Sequence, residues 1–137
     1  MATPTKTIRL RPRLRTEIER IARRTRRSFS EVAQALLEEA VRTRECPGIC
    51  FADEPAGRVA KVAGTGLGVW EVIRDYKAVK SDAKKLRRWL PHLSTAQLKA
   101  ATVYYARFPE EINAEIADDT AAHAEGRAMQ QAIARRA

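Results

Sequence analysis

From Thr5 to Arg11 polar and apolar residues alternate, with Ile8 and Leu10 on one side and Thr5, Thr7, Arg9 and Arg11 on the other, as a half-buried strand requires. No hairpin partner for this strand follows it. Pro12 instead opens a helical stretch in which Leu14, Ile18, Ile21 and Ala22 make one narrow apolar stripe. The cations of Arg23-Arg24-Thr25-Arg26-Arg27 suit that helix's C-terminal dipole. Ser28-Phe29-Ser30-Glu31 has the spacing of a capping box that starts a second helix. There Phe29, Val32, Ala33, Leu36, Leu37, Ala40 and Val41 recur at intervals of three and four, the clearest periodicity in the chain. One strand and two amphipathic helices, about 40 residues, cannot bury both stripes or satisfy the strand's backbone alone. Two copies can. Antiparallel pairing of two such strands would complete the ladder, turn Ile8 and Leu10 onto the helices of both chains, and leave a polar row on the opposite face.

This order of elements, with Thr7-Ile8-Arg9-Leu10 and Arg27-Ser28-Phe29-Ser30-Glu31-Val32 at its key positions, resembles the ribbon-helix-helix family of DNA-binding proteins over residues 5 to 44. The resemblance implies a dimer whose two-stranded ribbon enters the major groove, where a β-ribbon fits. Carried over by position, Thr5, Thr7 and Arg9 face the bases, and Arg9 is the side chain suited to fork onto a guanine. The amides of Ser28 and Phe29 would hold a phosphate at a helix N-terminus, with Arg26 and Arg27 beside them. Ile8, Leu10, Ile18, Ile21, Val32 and Leu36 would form the dimer core. Arg11, Arg13 and Arg15 read better as a solvated helix start than as specific contacts.

Charge agrees with a polyanionic partner. Of 26 basic and 17 acidic residues, residues 1 to 45 hold 12 and 6, residues 46 to 108 hold 11 and 5, and residues 109 to 137 hold 3 and 6. The body is basic and the tail acidic, and arginine dominates the first segment, which favours phosphate and base-edge contacts. The apolar fraction of 45% and the short apolar runs fit a soluble protein without a membrane span. The opening residues have no apolar core of a secretory signal, so the expected location is cytoplasmic.

After Glu45 the composition turns to Pro, Gly and Asp, which sets an expected domain boundary near residues 44 to 48. Cys46-Pro47-Gly48 and Asp53-Glu54-Pro55-Ala56-Gly57 read as turns around a short β-prone Ile49-Cys50-Phe51. Arg58 to Val62 alternates as a second short strand, and Gly64-Thr65-Gly66-Leu67-Gly68 turns into a helix with Val69, Val72, Ile73 and Tyr76 on one face. A helix near Asp82 to Leu90, a turn at Pro91-His92-Leu93, and a capped helix from Ser94 to about Arg107 follow, the last with Leu98, Ala101, Tyr105 and Phe108 on one face. The glycine run has neither dinucleotide nor P-loop spacing, Cys46 and Cys50 lack the ligands to complete a tetrahedral site, and neither His92 nor His123 has a triad partner in sequence. No enzyme, cofactor or metal is expected. His92 reads as a hydrogen-bonded structural residue.

A second resemblance covers about residues 46 to 118. Pro47-Gly48-Ile49, Ala63-Gly64-Thr65-Gly66-Leu67-Gly68-Val69-Trp70-Glu71, Tyr76, Leu90-Pro91-His92-Leu93-Ser94, and Ala100-Ala101 with Tyr104-Tyr105 look like a small winged-helix-like family of unknown function. Its hallmark is a Gly-Thr-Arg turn followed by a Pro-His-Leu turn, and Gly66 stands where that family commonly has arginine. Members are linked with antitoxins of the VapB type, which implies a PIN-like ribonuclease toxin as partner. The expected architecture is mainly α: a ribbon-helix-helix domain over 1–45, a helix-turn-helix or winged-helix-like domain over 46–108, and an acidic helical tail over 109–137. The expected function is that of an antitoxin in a type II toxin-antitoxin system, which inhibits its toxin and represses its own operon. The alternative is a stand-alone ribbon-helix-helix regulator, with the second domain as another DNA reader.

The tail starts well, with Pro109 and then Glu110 and Glu111 in the first turn, but Asp118-Asp119 and Gly126 weaken its later turns. Ile112 and Ile116 form an apolar edge expected to order against the toxin. Inhibition would come either from the acidic groups in a basic RNA groove or from Arg127, Arg135 or Arg136 reaching the toxin's metal-binding carboxylates.

Overall fold

Proline fixes φ near the helical value and lacks the amide that a first turn cannot use, and two helices of the chain begin on one: α1 at Pro12–Thr25 and a later helix at Pro109. The computed structural model describes residues 3–136; Met1, Ala2 and Ala137, at the ends of the first and last expected segments, lie outside it. The chain divides into two compact units, one ending at Arg42 and the other beginning at Thr43.

In the first unit α1 ends where Arg26 turns into the left-handed region (φ 55°) and the Arg27 amide donates back to the Ala22 carbonyl at 3.0 Å. The next helix, α2 (Phe29–Glu45), starts at Ser28, whose Oγ accepts from the Glu31 amide at 3.1 Å. The Glu31 carboxylate lies 3.7 Å from Arg27. Ile18, Ala22 and Val32 are the buried residues of this unit, with Leu10, Ile21, Phe29 and Ala33 packed on them.

The strand expected from Thr5 to Arg11 is not formed: residues 3–11 have no regular secondary structure. A strand exists through its ladder, and this stretch has no neighbour in its own chain to bond with. Helices come first in the described residues, and the two-stranded antiparallel sheet comes after them, as a hairpin.

That hairpin opens the second unit. Strands β1 (Ile49–Glu54) and β2 (Gly57–Val62) pair from Ile49 opposite Val62 to Glu54 opposite Gly57. The ladder runs on through Asp53 and Glu54, which composition had marked as turn. A two-residue connection, Pro55-Ala56, brings the strands together late enough for both to pair. After β2 the chain loops back through Gly64 (φ 83°) and Gly66 (φ 70°), left-handed positions that suit glycine. The Thr65 hydroxyl donates to the Val62 carbonyl at 2.7 Å and accepts the Leu67 amide at 3.0 Å, fixing the loop as it enters α3 (Val69–Ala78).

Two further helices follow, α4 (Ala83–Trp89) capped by Asp82 and α5 (Thr95–Arg107) capped by Ser94 and Gln97 in a full capping box. The last helix, α6, runs from Pro109 to Arg136. Val62, Val69, Val72, Ile73, Leu86, Ala101, Tyr104 and Ile112 are enclosed almost completely. Tyr104 is held between Phe51, edge-on at 6.3 Å, and Phe108 at 4.8 Å, while its hydroxyl donates to Glu111.

Ile112 corrects the reading of residues 109–137 as a separate tail. It is fully buried in the core of the second unit, with Ile116 packed against the same core, so the apolar edge of α6 is covered by this chain itself. Asp119 extends the anchoring through Arg74 of α3 at 3.3 Å. From Thr120 to Arg136 every residue is exposed. No helix among the described residues is long and apolar enough to cross a membrane.

Candidate functional site

Thr5, Thr7 and Arg9 are exposed on the extended approach to α1. The apolar residues that alternate with them differ sharply: Leu10 rests on the small core of the first unit, whereas Ile8 is 60% exposed. Of the expected dimer core, Ile18 and Val32 are buried within the unit, Ile21 packs on them, and Leu36 is exposed. Leu14, Leu37 and Val41 are exposed as well. The helical periodicity of α2 therefore outruns the apolar cover that its own unit supplies.

Arg26, Arg27, Ser28 and Phe29 form the tight connection between the two helices. Ser28 and both arginines are exposed, and Phe29 is half-buried against the core. Of the first-turn amides of α2, that of Glu31 is taken by Ser28 Oγ, while those of Phe29 and Ser30 stand at the positive end of the dipole, near Arg26 and the Arg27–Glu31 pair.

In the second unit the expected toxin contacts separate. Ile112 and Ile116 face inward, while Arg127, Arg135 and Arg136 stand on the exposed overhang of α6. Met129 and Ile133, one helical turn apart and 67% and 63% exposed, give that overhang an apolar edge. Another exposed surface is basic: Leu86 anchors α4 inward, leaving Lys84, Lys85 and Arg88 outside with Trp89, which is 58% exposed. His92 is exposed at its turn, and Cys46 is buried while Cys50 is exposed.

Sequence reasoning missed a groove of about 550 Å³ between the hairpin, the glycine loop, the start of α3 and the middle of α6. Five carboxylates line it against one lysine. Three of the five are committed: Glu54 pairs with Lys61, Glu71 accepts the Gly68 amide at 2.8 Å, and Asp119 holds Arg74. The ion pair with Glu54 pushes the Lys61 ammonium above its ordinary value. Glu115 is different. Its Oε2 is enclosed and accepts no hydrogen bond, and burial, reinforced by Glu111 and Asp118, raises its carboxyl from 4.5 to about 7. The three- and four-residue spacing of Glu111, Glu115, Asp118 and Asp119 was a visible sign of one acidic helix face. Among the described residues no cluster of three or more His, Cys, Asp or Glu side chains is placed to hold a metal ion.

Comparison with family models, with characterised proteins and with solved structures finds no match to this chain.

Proposed function

We propose that the chain is a DNA-binding protein that works as a homodimer, with the N-terminal arms of two copies paired into a ribbon-helix-helix ribbon. The observation that carries this reading is the incompleteness of the first unit. Three buried residues support two helices, while Ile8, Leu14, Leu36, Leu37 and Val41 remain outside and residues 3–11 lack a strand partner. A second copy supplies both the missing ladder and the missing cover, and each large apolar side chain so buried is worth roughly 1.5–3 kcal/mol. In the paired ribbon Thr5, Thr7 and Arg9 face the major groove, and the corner Arg26 to Phe29 grips a phosphate.

The resemblance of the second unit to the VapB-linked family extends the proposal: the dimer is an antitoxin that represses its own operon and inhibits a PIN-like ribonuclease. The toxin-binding element fits the exposed end of α6, with Met129 and Ile133 as its apolar edge and Arg127, Arg135 and Arg136 around it. The basic face of α4 with Trp89 favours a second reading, a regulator without a toxin whose second unit also touches nucleic acid.

Sedimentation and mobility shift test the dimer together. Ile8→Asp and Leu36→Asp should each give a monomer that no longer binds operator DNA, because a buried unpaired charge costs several kcal/mol. Two dimeric, DNA-binding variants would remove the ribbon. Truncation after Thr120 should leave dimer and DNA affinity intact, since none of the described residues removed is buried. In a nuclease assay with the genomic neighbour it should abolish inhibition; inhibition undiminished by the truncation would move the toxin surface elsewhere.

A further inference from the structure

We propose that the outward face of α4 binds single-stranded nucleic acid, with Lys84, Lys85 and Arg88 on its phosphates and an unpaired base stacked on Trp89. Between Tyr76 and Pro109 the sequence holds eight lysines and arginines and a single acid, Asp82. That acid is occupied as the cap of α4, its carboxylate accepting the Lys84 amide at 3.0 Å and the Lys85 amide at 3.2 Å. Lys80, Lys84, Lys85, Arg87 and Arg88 are exposed, and among the described residues none of them is in an ion pair. Exposed arginines elsewhere do find a carboxylate, as Arg15 does in Glu19, Arg20 in Glu17 and Arg107 in Glu45. A field so concentrated, with no counter-charge of its own, is complementary to a polyanion.

The aromatic ring selects the kind of polyanion. Leu86 is fully enclosed and fixes which way α4 faces. Helical spacing then puts Lys84 and Arg88, one turn apart, on the side away from Leu86, with Lys85 and Trp89 as a second pair beside them. The chain lays its own cations over other rings of this unit, Arg74 over Trp70 at 5.1 Å and Lys77 over Tyr105 at 4.6 Å. Among the described residues no cation or ring stacks on Trp89. A bare indole beside unpaired cations matches a single strand, which offers phosphates and the open face of a base together. In a duplex the bases are already stacked on one another, and wedging a ring between them costs their unstacking. Attachment to an anionic membrane buries a broad apolar helix face, whereas α4 turns Leu86 into the core and keeps only Trp89 outside. The single-strand assignment rests on the second reading above, that the second unit touches nucleic acid, and it needs neither the ribbon nor a toxin.

Tryptophan fluorescence of the full-length protein provides the test, because the chain has two tryptophans and Trp70 already carries Arg74. The probes are short single strands of RNA and DNA in one mixed sequence, the blunt DNA duplex of that sequence, inorganic polyphosphate of matched charge, and phosphatidylserine vesicles. Both single strands should bind with saturable quenching, since stacking and phosphate contacts tolerate any sequence. Trp89→Ala should weaken them by about tenfold, and Trp89→Phe should keep most of the affinity while losing the quenching. Lys84→Gln combined with Arg88→Gln should also weaken them by about tenfold and flatten the dependence on salt. These side chains are exposed, so every variant should melt as the parent does. Ile8→Asp, aimed at the ribbon, should leave the quenching unchanged. Single strands bound without quenching, or with affinity unchanged in both Trp89→Ala and the double variant, would overturn the assignment, and duplex affinity equally unchanged would remove the second reading with it. A duplex bound more tightly than the single strands and weakened by the same variants would overturn the assignment while leaving the second reading in place. Polyphosphate or vesicles bound more tightly than the single strands, and weakened by the same variants, would overturn it in favour of bare charge or a membrane.

Discussion

The two units answer the problem of covering apolar surface in opposite ways. Among the described residues the second encloses fifteen, drawn from its hairpin, all its helices and the connections between them. The first, among its described residues, encloses three and leaves five large apolar side chains in solvent. Both are built from well-capped amphipathic helices, so helix quality does not separate them. The difference lies in connectivity: the second unit's chain returns on itself through a hairpin and three turns, whereas the first offers one arm and two helices with nothing to fold back. On the proposed dimer, a unit of the first kind gains stability by mass action with its partner and its melting should depend on protein concentration; a unit of the second kind should melt independently of it.

The largest test of this contrast is Ile112→Ala. Removing a fully enclosed isoleucine from the junction of α6 with the core should cost the second unit 2–5 kcal/mol, by the usual range for such truncations. On the proposed reading, the first unit should still dimerise and bind DNA. Thermal melts followed by signals from each unit would check this, and loss of both units together would show that they fold as one. A smaller effect is expected at Arg9→Ala, which should leave both cores untouched yet lose about 1–3 kcal/mol of discrimination for each good base contact. Titrations on operator and random DNA at one salt concentration decide the matter: equal losses would make Arg9 a phosphate contact.

How much of this was legible in the sequence follows from the range of the forces involved. Pro12, Pro109, Asp82 and the Ser94–Gln97 box place helix starts correctly because capping is settled within one turn. The glycine loop was equally readable, its left-handed residues being a local demand. Asp53 and Glu54 were misread because their pairing depends on a turn outside them. Ile112 and Ile116 looked like an edge for a partner, since periodicity reveals an apolar face without revealing what covers it, and that cover comes from α3 and α5. The groove was least visible: Lys61, Glu71 and Glu115 come from three different elements, and neither the enclosure nor the missing donor at Glu115 has any trace in spacing.

The smallest predicted effect sharpens the contrast by pH. The folded chain holds the Glu115 carboxyl at about 7 against an ordinary 4.5, so between those values the folded state binds more protons than the unfolded one. The stability linked to this group is therefore fully present below pH 4.5 and is lost as the pH rises through about 7. The groups around it are Glu71 and Arg74 of α3, Glu54 and Lys61 of the hairpin, and Glu111, Asp118 and Asp119 of its own helix, all in the second unit. Glu115 is only partly enclosed, and solvent screening reduces the effect to roughly 1 kcal/mol. Glu115→Gln should remove this loss, making the second unit more stable than the parent at pH 8 and little different at pH 4.5. The melting of the first unit should not move at either pH. Denaturation curves of parent and variant at the two pH values provide the measurement, and a variant with the parent's full pH dependence would place the raised titration on another group.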